Sequence, residues 1–315
     1  MVPVRRILIV TAVAAEADSV SAGLGLGAPE QLPLPGGLVL RRHPGGPVRA
    51  DVLVGGVGPA AVAAATGTAL AYATLVDAAP TDTKPLYAPF VDAAPTDTKP
   101  TDTPFADTPV VDAAGLDGAA ADGDAPPYAP FVDAVLPGAG APYDLVVSAG
   151  IAGGFQPLAA LGAVVVATDV VAADLGAQTP DGYLTVDELG FGRSAHPVPD
   201  ALTSRIAAAL DAGGLPHVRG PVLTVSTVTG TADRAAELAA RHPGAAAEAM
   251  EGFGVAEAAA AYGVPVVEIR AVSNAVGPRD RAAWRIGEAL GALRQAFALL
   301  SPTVFVSTGS VESSP

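Results

Sequence analysis

The sequence predicts an α/β fold in which helices cover a single central sheet. Short apolar runs, such as residues 6–10 and 143–148, are typical of strands that are buried on both faces of a sheet. Longer alanine-rich stretches alternate with these runs and are typical of helices, as at residues 59–76. Because strands and helices alternate along the chain, we expect a layered α/β arrangement around one sheet.

The amino-terminal part of the chain contains four predicted elements. They are a strand over residues 6–10, a helix over 14–24, a strand over 48–54 and a helix over 59–76. Glycines in the turn at residues 55–59 permit a close approach of the backbone to a ligand. Pro59 suits the first position of the helix that follows this turn.

The carboxyl-terminal part continues the alternation. Its predicted strands cover residues 143–148, 163–171, 221–226 and 264–272, and its predicted helices cover 201–212, 231–241, 252–262 and 281–300. We expect the glycine-rich segment 149–155 to form a loop after its strand. The tail over residues 301–315 is rich in Ser and Thr, so we expect it to be loose.

A low-complexity insertion over residues 77–142 interrupts this pattern. The ten residues 76–85 recur without change at 91–100, and prolines recur every few positions, which disfavours helix. Since Pro, Ala, Asp and Thr dominate and few large apolar side chains are present, we expect a disordered insertion. The alternative is a repeat domain that binds a partner. Residues 1–300 are therefore predicted to form a single domain that carries this insertion.

The charge of the chain is concentrated in the insertion. The formal net charge is −15, and residues 77–144 contribute −10 of it through twelve Asp and two Lys. No basic stripe is present that could neutralise a phosphate backbone, so we expect no nucleic-acid partner. No apolar segment is long enough for a confident membrane span or a signal peptide, which favours a cytoplasmic location.

Metal and redox chemistry have little support in the sequence. There is no cysteine, and the four histidines are scattered without a carboxylate at metal-ligand spacing. We expect these histidines to lie in surface loops, and we expect no metal ion and no organic cofactor. A dinucleotide-binding glycine fingerprint and a P-loop are also missing.

Met250 and Glu251 open an alanine-rich predicted helix next to small residues. The two oxygens of a glutamate there could accept hydrogen bonds from adjacent ribose hydroxyls, and its charge favours positive charge at an anomeric carbon. The alternative is a helix-start glutamate that only complements the helix dipole.

The segments 249–253 and 270–274 resemble the nucleoside phosphorylase and nucleoside hydrolase superfamily, and within it the futalosine hydrolase family. The densest similarity covers residues 248–293. The resemblance implies a three-layer sandwich with a central mixed sheet, like that of purine nucleoside phosphorylases. It also implies hydrolysis of futalosine to hypoxanthine and dehypoxanthinyl futalosine, a nucleoside as the small-molecule partner, no cofactor and a homo-oligomer.

The resemblance assigns roles to particular residues. Glu16 would activate water, Met250 and Glu251 would hold the ribose, and Asn274 would stabilise the departing base. Further substrate-binding positions are Gly56 and Gly58, Ala152 and Gly153, Thr229 and Gly230, and Ser273. Arg270 would organise the floor of the site, and Arg193, Arg279 and Arg281 are candidates for the benzoate end of the substrate.

Two features of the sequence favour particular chemistry within this superfamily. Neither residues 11–16 nor 55–59 contain the arginine with which related phosphorylases bind phosphate, and Glu16 would repel a phosphate dianion. Water is therefore the expected nucleophile. Where adenine-releasing relatives carry Asp, this chain has Asn274, whose amide cannot donate a proton outright but can stabilise a departing 6-oxopurine anion. We therefore expect hypoxanthine or guanine as the base.

Three other functions remain open from the sequence. A phosphorylase would depend on phosphate, and an adenine-nucleoside hydrolase would release adenine. A nucleoside-binding sensor would keep the fold without turnover, but in such a protein we would expect Glu16 or Glu251 to be replaced. Both are present.

Overall fold

The computed structural model describes residues 6–45, 48–78 and 141–305. Its strands are β1 Arg6–Thr11, β2 Glu30–Pro33, β3 Val39–His43, β4 Arg49–Val54, β5 Leu145–Gly154, β6 Val164–Ala172, β7 Gly176–Thr179, β8 Gly182–Thr185, β9 Ala195–Pro197, β10 His217–Thr224, β11 Ala247–Ala249 and β12 Val266–Ala275. Its helices are α1 Ala14–Leu24, α2 Pro59–Ala78, α3 Asp200–Ala212, α4 Ala232–Arg241, α5 Gly252–Ala261 and α6 Ile286–Leu300. Short 3-10 turns cover Pro35–Gly37 and Arg281–Ala283.

Most of the described strands join one mixed sheet, in the order β11-β10-β6-β12-β5-β1-β4-β3-β2. Strand β1 pairs in parallel with β4 and β5, and β5 pairs in parallel with β12. Strand β12 meets β6 in antiparallel orientation. Strand β11 pairs with β10 and also with β5. The five strands β11, β10, β6, β12 and β5 therefore close into a ring.

Helices cover the sheet in two groups. Helix α1 packs against α6, which also contacts α3, whereas α2 packs against α5. Because α5 and α6 belong to separate groups and both contact β5 and β12, the sheet lies between two helical layers. The predicted three-layer α/β sandwich is confirmed.

The core lies where β1, β5 and β12 run side by side. Leu8 and Ile9 of β1, Val146 and Val147 of β5 and Val267 of β12 are all fully buried, and consecutive residues of a strand project from opposite faces of the sheet. These positions belong to the continuous apolar runs, which confirms that the runs form central strands covered on both faces.

The sequence patterns missed several short strands. Strands β2 and β3 form an antiparallel hairpin, β7 and β8 form a second one, and β9 adds to β6. The residues of β7 and β8 are at most half-buried, so the apolar alternation that identifies a strand is weak there. Strand β11 has only three residues and no β-branched side chain.

Several predicted boundaries and one predicted environment were wrong; for example, the strand predicted over residues 221–226 is β10, His217–Thr224. The glycine-rich segment expected as a loop is the second half of β5, because its backbone pairs with β12 and β11. Strand β12 continues through Ser273 and Asn274, and α6 begins at Ile286 rather than at residue 281. His43 and His196 are buried on strands and do not lie in surface loops.

Most of the predicted insertion, residues 79–140, and the tail from residue 306 lie outside the described residues. None of the helices in the described part of the chain combines the length and apolarity that a bilayer span requires.

A buried polar cluster joins β4 to the start of β5. The carboxylate of Asp51 is fully buried and accepts two hydrogen bonds from Arg42, at 2.9 and 3.2 Å, and one from the Tyr143 hydroxyl at 2.7 Å. The guanidinium of Arg6 lies 4.4 Å from the centre of the Tyr143 ring. Burial raises the pKa of Tyr143, which keeps the phenol protonated as a donor.

The substitution Tyr143→Phe is expected to lower the free energy of unfolding by roughly 1–3 kcal/mol, because it removes a donor from a buried carboxylate. Urea denaturation of the whole chain would measure this. Tyr183→Phe is the matched control, since the Tyr183 hydroxyl has no hydrogen-bond partner among the described residues. An equal loss in both variants would contradict the role of the Tyr143 hydroxyl.

Candidate active site

The candidate site lies where the carboxyl ends of β1, β4, β5 and β12 meet. These strands are parallel neighbours, so the loops that follow them gather at one edge of the sheet. That edge is where ligands bind in open α/β sheets.

Glu16 is held rigidly at this edge. It is the third residue of α1 and is only 3% exposed. Its Oε2 accepts hydrogen bonds from the amides of Ala12 and Val13 at 3.0 and 3.2 Å, and its Oε1 accepts one from the Ile151 amide at 2.9 Å. A carboxylate offers about four acceptor sites, so one site on Oε1 is left for a further donor. The residue therefore caps its helix and still has an oxygen available.

Glu251 lies just before α5, yet its side chain makes no cap hydrogen bond to that helix. Its Oε1 accepts a hydrogen bond from the Gly58 amide at 3.4 Å, and its Oε2 accepts one from the Met250 amide at 3.3 Å. Its Oε2 also lies 3.1 Å from Nη1 of Arg270. The contact with Gly58 joins the loop after β4 to the start of α5, as a shared sugar site would require.

Arg270 is the centre of a buried charge network. Its side chain is 1% exposed, and its Nε donates to Glu268 at 2.7 Å while its Nη2 donates to the Ser148 hydroxyl at 3.1 Å. Burial opposes the charge of Arg270, but the carboxylates of Glu268, Glu251 and Glu16 raise its pKa above the usual value. Burial raises the pKa of Glu268, and the Arg270 guanidinium opposes that shift.

Two glycines make room for this network. A Cβ on Gly150 would lie 2.5 Å from Oε1 of Glu16 and 2.6 Å from Nη1 of Arg270. A Cβ on Gly252 would lie 2.0 Å from Oε2 of Glu268. Both glycines are therefore required by the close approach of charged groups to the backbone.

Asn274 lies on β12 beside Gly153 of β5, where a Cβ on Gly153 would be 3.2 Å from its Nδ2. Its Nδ2 donates to the Ala275 carbonyl at 3.0 Å, which fixes the orientation of the amide because a carbonyl only accepts. The Ser273 hydroxyl lies 2.8 Å from Oδ1 of Asn274 and 3.3 Å from the Ala152 carbonyl. One N–H of Asn274 is left for a ligand.

Thr229, one of the predicted substrate-binding positions, contacts a residue that the sequence did not single out. Thr229 donates its amide to Oε1 of Glu248 at 2.9 Å and its hydroxyl to Oε2 of the same carboxylate. Burial raises the pKa of Glu248, while the two bonds from Thr229 oppose the shift. Gly230 lies against the side chain of Arg279: a Cβ on Gly230 would be 3.7 Å from both Cγ and Cδ of Arg279.

The structure therefore gathers most of the predicted site residues at one edge of the sheet. Gly56 and Gly58 both have positive φ in the loop after β4, at 91° and 92°. Their roles toward a ligand stay predictions. In the described part of the chain, no three His, Asp or Glu side chains are placed to hold a metal ion.

The three arginines predicted for the benzoate end separate in the structure. The guanidinium groups of Arg279 and Arg281 lie 5.5 and 5.7 Å from the Trp284 ring centre, and the side chain of Arg279 also lies against Gly230. The guanidinium of Arg193 lies 3.4 Å from Glu257, which also contacts His196. The benzoate contact stays a prediction.

Two residues of the site, Glu248 and Glu268, were missed by sequence reasoning. Glu268 interrupts an apolar run two positions before Arg270, so both side chains project from the same face of β12. This spacing could have indicated the pair. Glu248 pairs with a loop nineteen residues away, for which the sequence has no local signal.

The substitution Gly150→Ala is expected to lower the free energy of unfolding by roughly 1–3 kcal/mol, because the methyl group would push against Glu16 and Arg270. Urea denaturation would measure the loss. Gly291→Ala is the matched control in α6, where a Cβ meets nothing within 4 Å, and we expect it to stabilise the helix slightly. Similar effects of both substitutions would contradict the crowding at residue 150.

Comparison with known proteins identifies related sequences and folds. The chain is similar to a futalosine hydrolase of Streptomyces coelicolor, with 64% identity over 155 residues, covering 49% of this chain and 64% of that protein. The chain thus spans less than two thirds of the length of this curated relative.

Solved structures resemble the chain in fold. Helicobacter pylori MTAN, in a mutant with 5′-methylthioadenosine in the active site, matches with a TM-score of 0.64 and 14% identity, covering 95% of this chain and 99% of that chain. Native futalosine hydrolase of Helicobacter pylori matches with a TM-score of 0.60 and 15% identity, covering 94% of both chains. A family model described as the phosphorylase superfamily matches residues 139–304, just over half of the chain. The chain belongs to the phosphorylase superfamily.

Proposed function

We propose that this protein hydrolyses the N-ribosidic bond of futalosine to hypoxanthine and dehypoxanthinyl futalosine, a reaction of menaquinone biosynthesis. The observation that carries the proposal is the buried carboxylate of Glu16, which is fixed by three amides and lies near Arg270, the residue that also contacts Glu251. The similarity to a futalosine hydrolase, which covers 49% of the chain, supports the choice of substrate.

Glu16 is the proposed general base. Its carboxylate is fixed by three backbone donors, so the free acceptor site on Oε1 has a defined direction. A water molecule that donates to this site is held for attack on the anomeric carbon. Proton transfer to a positioned carboxylate of this kind contributes about 10²- to 10⁴-fold to the rate.

Glu251 is the proposed ribose ligand. Its charge lies close to the sugar, where it stabilises the positive charge that develops as the glycosidic bond breaks. Arg270 holds this carboxylate at 3.1 Å and is buried, so Glu251 is oriented before substrate arrives. Pre-organised charges act most strongly in sites that exclude water.

Asn274 is the proposed stabiliser of the leaving base. Its amide is oriented by the Ala275 carbonyl, which leaves one N–H free to donate. A 6-oxopurine presents two acceptors, N7 and O6, on the edge that this N–H would meet. A departing 6-oxopurine anion spreads its charge onto O6, and the free N–H of Asn274 stabilises it there.

Water is favoured over phosphate by the charge of the site. Among the described residues, Arg270 is the arginine at the centre of the candidate site. The carboxylates of Glu268, Glu251 and Glu16 surround its guanidinium. The net negative charge would repel a phosphate dianion. A homo-oligomer and a cytoplasmic location stay predictions.

The proposed function is tested by incubating the purified protein with futalosine, inosine and methylthioadenosine, each with and without phosphate, while the released base is measured by chromatography. Hypoxanthine released from futalosine at the same rate with and without phosphate is the expected outcome. Release that requires phosphate would identify a phosphorylase, and release of adenine alone would identify an adenine-nucleoside hydrolase.

The substitution Glu16→Gln is expected to lower kcat by about 10²- to 10⁴-fold, since an amide cannot accept the proton of water. Glu237→Gln, which alters an exposed glutamate of α4, is the matched control. A near-normal kcat in Glu16→Gln would exclude Glu16 as the base.

A further inference from the structure

We propose that Glu268 is a positioning residue that compensates the charge of Arg270 and thereby leaves the charge of Glu251 available to a positively charged transition state. In this role Glu268 acts through Arg270 and does not contact the substrate. The inference rests on the proposed function only in that Glu251 faces a ribose at which positive charge develops.

The three carboxylates near Arg270 do not share its charge equally. Nε of Arg270 donates to Oε1 of Glu268 at 2.7 Å, and Nη1 lies 3.1 Å from Oε2 of Glu251. The attraction between Glu16 and Arg270 is weaker than either of these. One guanidinium carries one positive charge, so it can fully compensate only one of the carboxylates.

Glu251 and Glu16 have backbone donors of their own. The amides of Gly58 and Met250 donate to Glu251, and three amides donate to Glu16. Such hydrogen bonds stabilise a carboxylate in its charged form. These two carboxylates therefore depend less on the charge of Arg270.

Glu268 depends on Arg270 more than the other two carboxylates do. It is fully buried, and its Oε2 makes no hydrogen bond within the described part of the chain. Burial raises the pKa of Glu268, and the guanidinium of Arg270 is the strongest influence that opposes this shift. Because a buried carboxylate needs a paired cation, the charge of Arg270 is used first by Glu268.

The start of α5 places Glu268 close to Glu251. A Cβ on Gly252 would lie 2.0 Å from Oε2 of Glu268, so this oxygen lies against the first residue of α5, directly after Glu251. The amino-terminal end of a helix favours negative charge, which supports the ionised form of Glu268. Arg270 separates the two carboxylates and presents a different nitrogen to each.

The charge count of Glu268, Arg270 and Glu251 determines what the sugar meets. With Glu268 ionised, Arg270 is compensated, and one negative charge remains on Glu251. With Glu268 neutral, Arg270 and Glu251 would compensate each other, and no net charge would face the ribose. Only the first arrangement stabilises positive charge at the anomeric carbon, which develops in the transition state and is absent from the ground state.

The test uses Glu268→Gln, which removes the charge of Glu268 and keeps its size. The probes are two ribose mimics: iminoribitol, in which a ring amine that is protonated at neutral pH replaces the ring oxygen, and neutral anhydroribitol. Ligand-observed NMR titrations measure both affinities without turnover. The ratio of iminoribitol affinity to anhydroribitol affinity is expected to fall by about 10- to 100-fold in Glu268→Gln, because the cation loses its net partner charge.

Three further variants separate charge from structure. Glu268→Asp keeps the charge and should retain most of the original ratio. The double variant Glu268→Gln/Arg270→Gln leaves Glu251 charged, so it should restore the ratio, and it contains no unpaired guanidinium if Glu268→Gln alone fails to fold. Glu237→Gln on α4 is the matched surface control and should leave the ratio unchanged.

An unchanged ratio in Glu268→Gln, or a ratio in the double variant as low as that expected for Glu268→Gln, would overturn the inference. Unsubstituted protein that binds iminoribitol no better than anhydroribitol would overturn it as well. A failure to release hypoxanthine from futalosine would overturn only the proposed function, because neither probe carries a base.

Discussion

The burial of one guanidinium, that of Arg270, constrains the whole candidate site. A cation that is 1% exposed is tolerated only when carboxylates and hydrogen bonds replace the water that it has lost. Glu268 supplies one carboxylate from the same strand, and Glu251 supplies a second from the start of α5. The ion pairs of Arg270 therefore fix the position of α5 relative to β12. The electrostatic attraction between Arg270 and Glu16 also holds the start of α1 near this guanidinium.

Two glycines and the pairing of β11 with β5 also shape the site around Arg270. Gly150 and Gly252 admit charged groups against the backbone, where a methyl group would collide with them. The return of β11 to β5 brings Glu248, and just after it Met250 and Glu251, to the carboxyl end of the central strand. A sheet that closes on itself in this way lets residues distant in sequence surround a small volume.

How well the sequence predicted each helix or strand depended on the length and polarity of that element. The apolar run at 264–272 and the alanine-rich run at 59–76 were predictable because each carries many consecutive signals of one kind. The hairpin of β2 and β3 was not, because β2 is short and mostly exposed. The glycines at the end of β5 were misread for a different reason: glycine indicates a turn locally, but pairing with strands on both sides overrides that preference.

The path of α2 shows where residues 79–140 leave the described part of the chain. This helix starts at Pro59, beside the loop that contacts Glu251, and its twenty residues extend about 30 Å away from that loop. Residue 141, where the description resumes, directly precedes the amino-terminal end of β5, whereas the candidate site lies at the carboxyl end. The two points of attachment thus lie at the edge of the sheet remote from the chemistry.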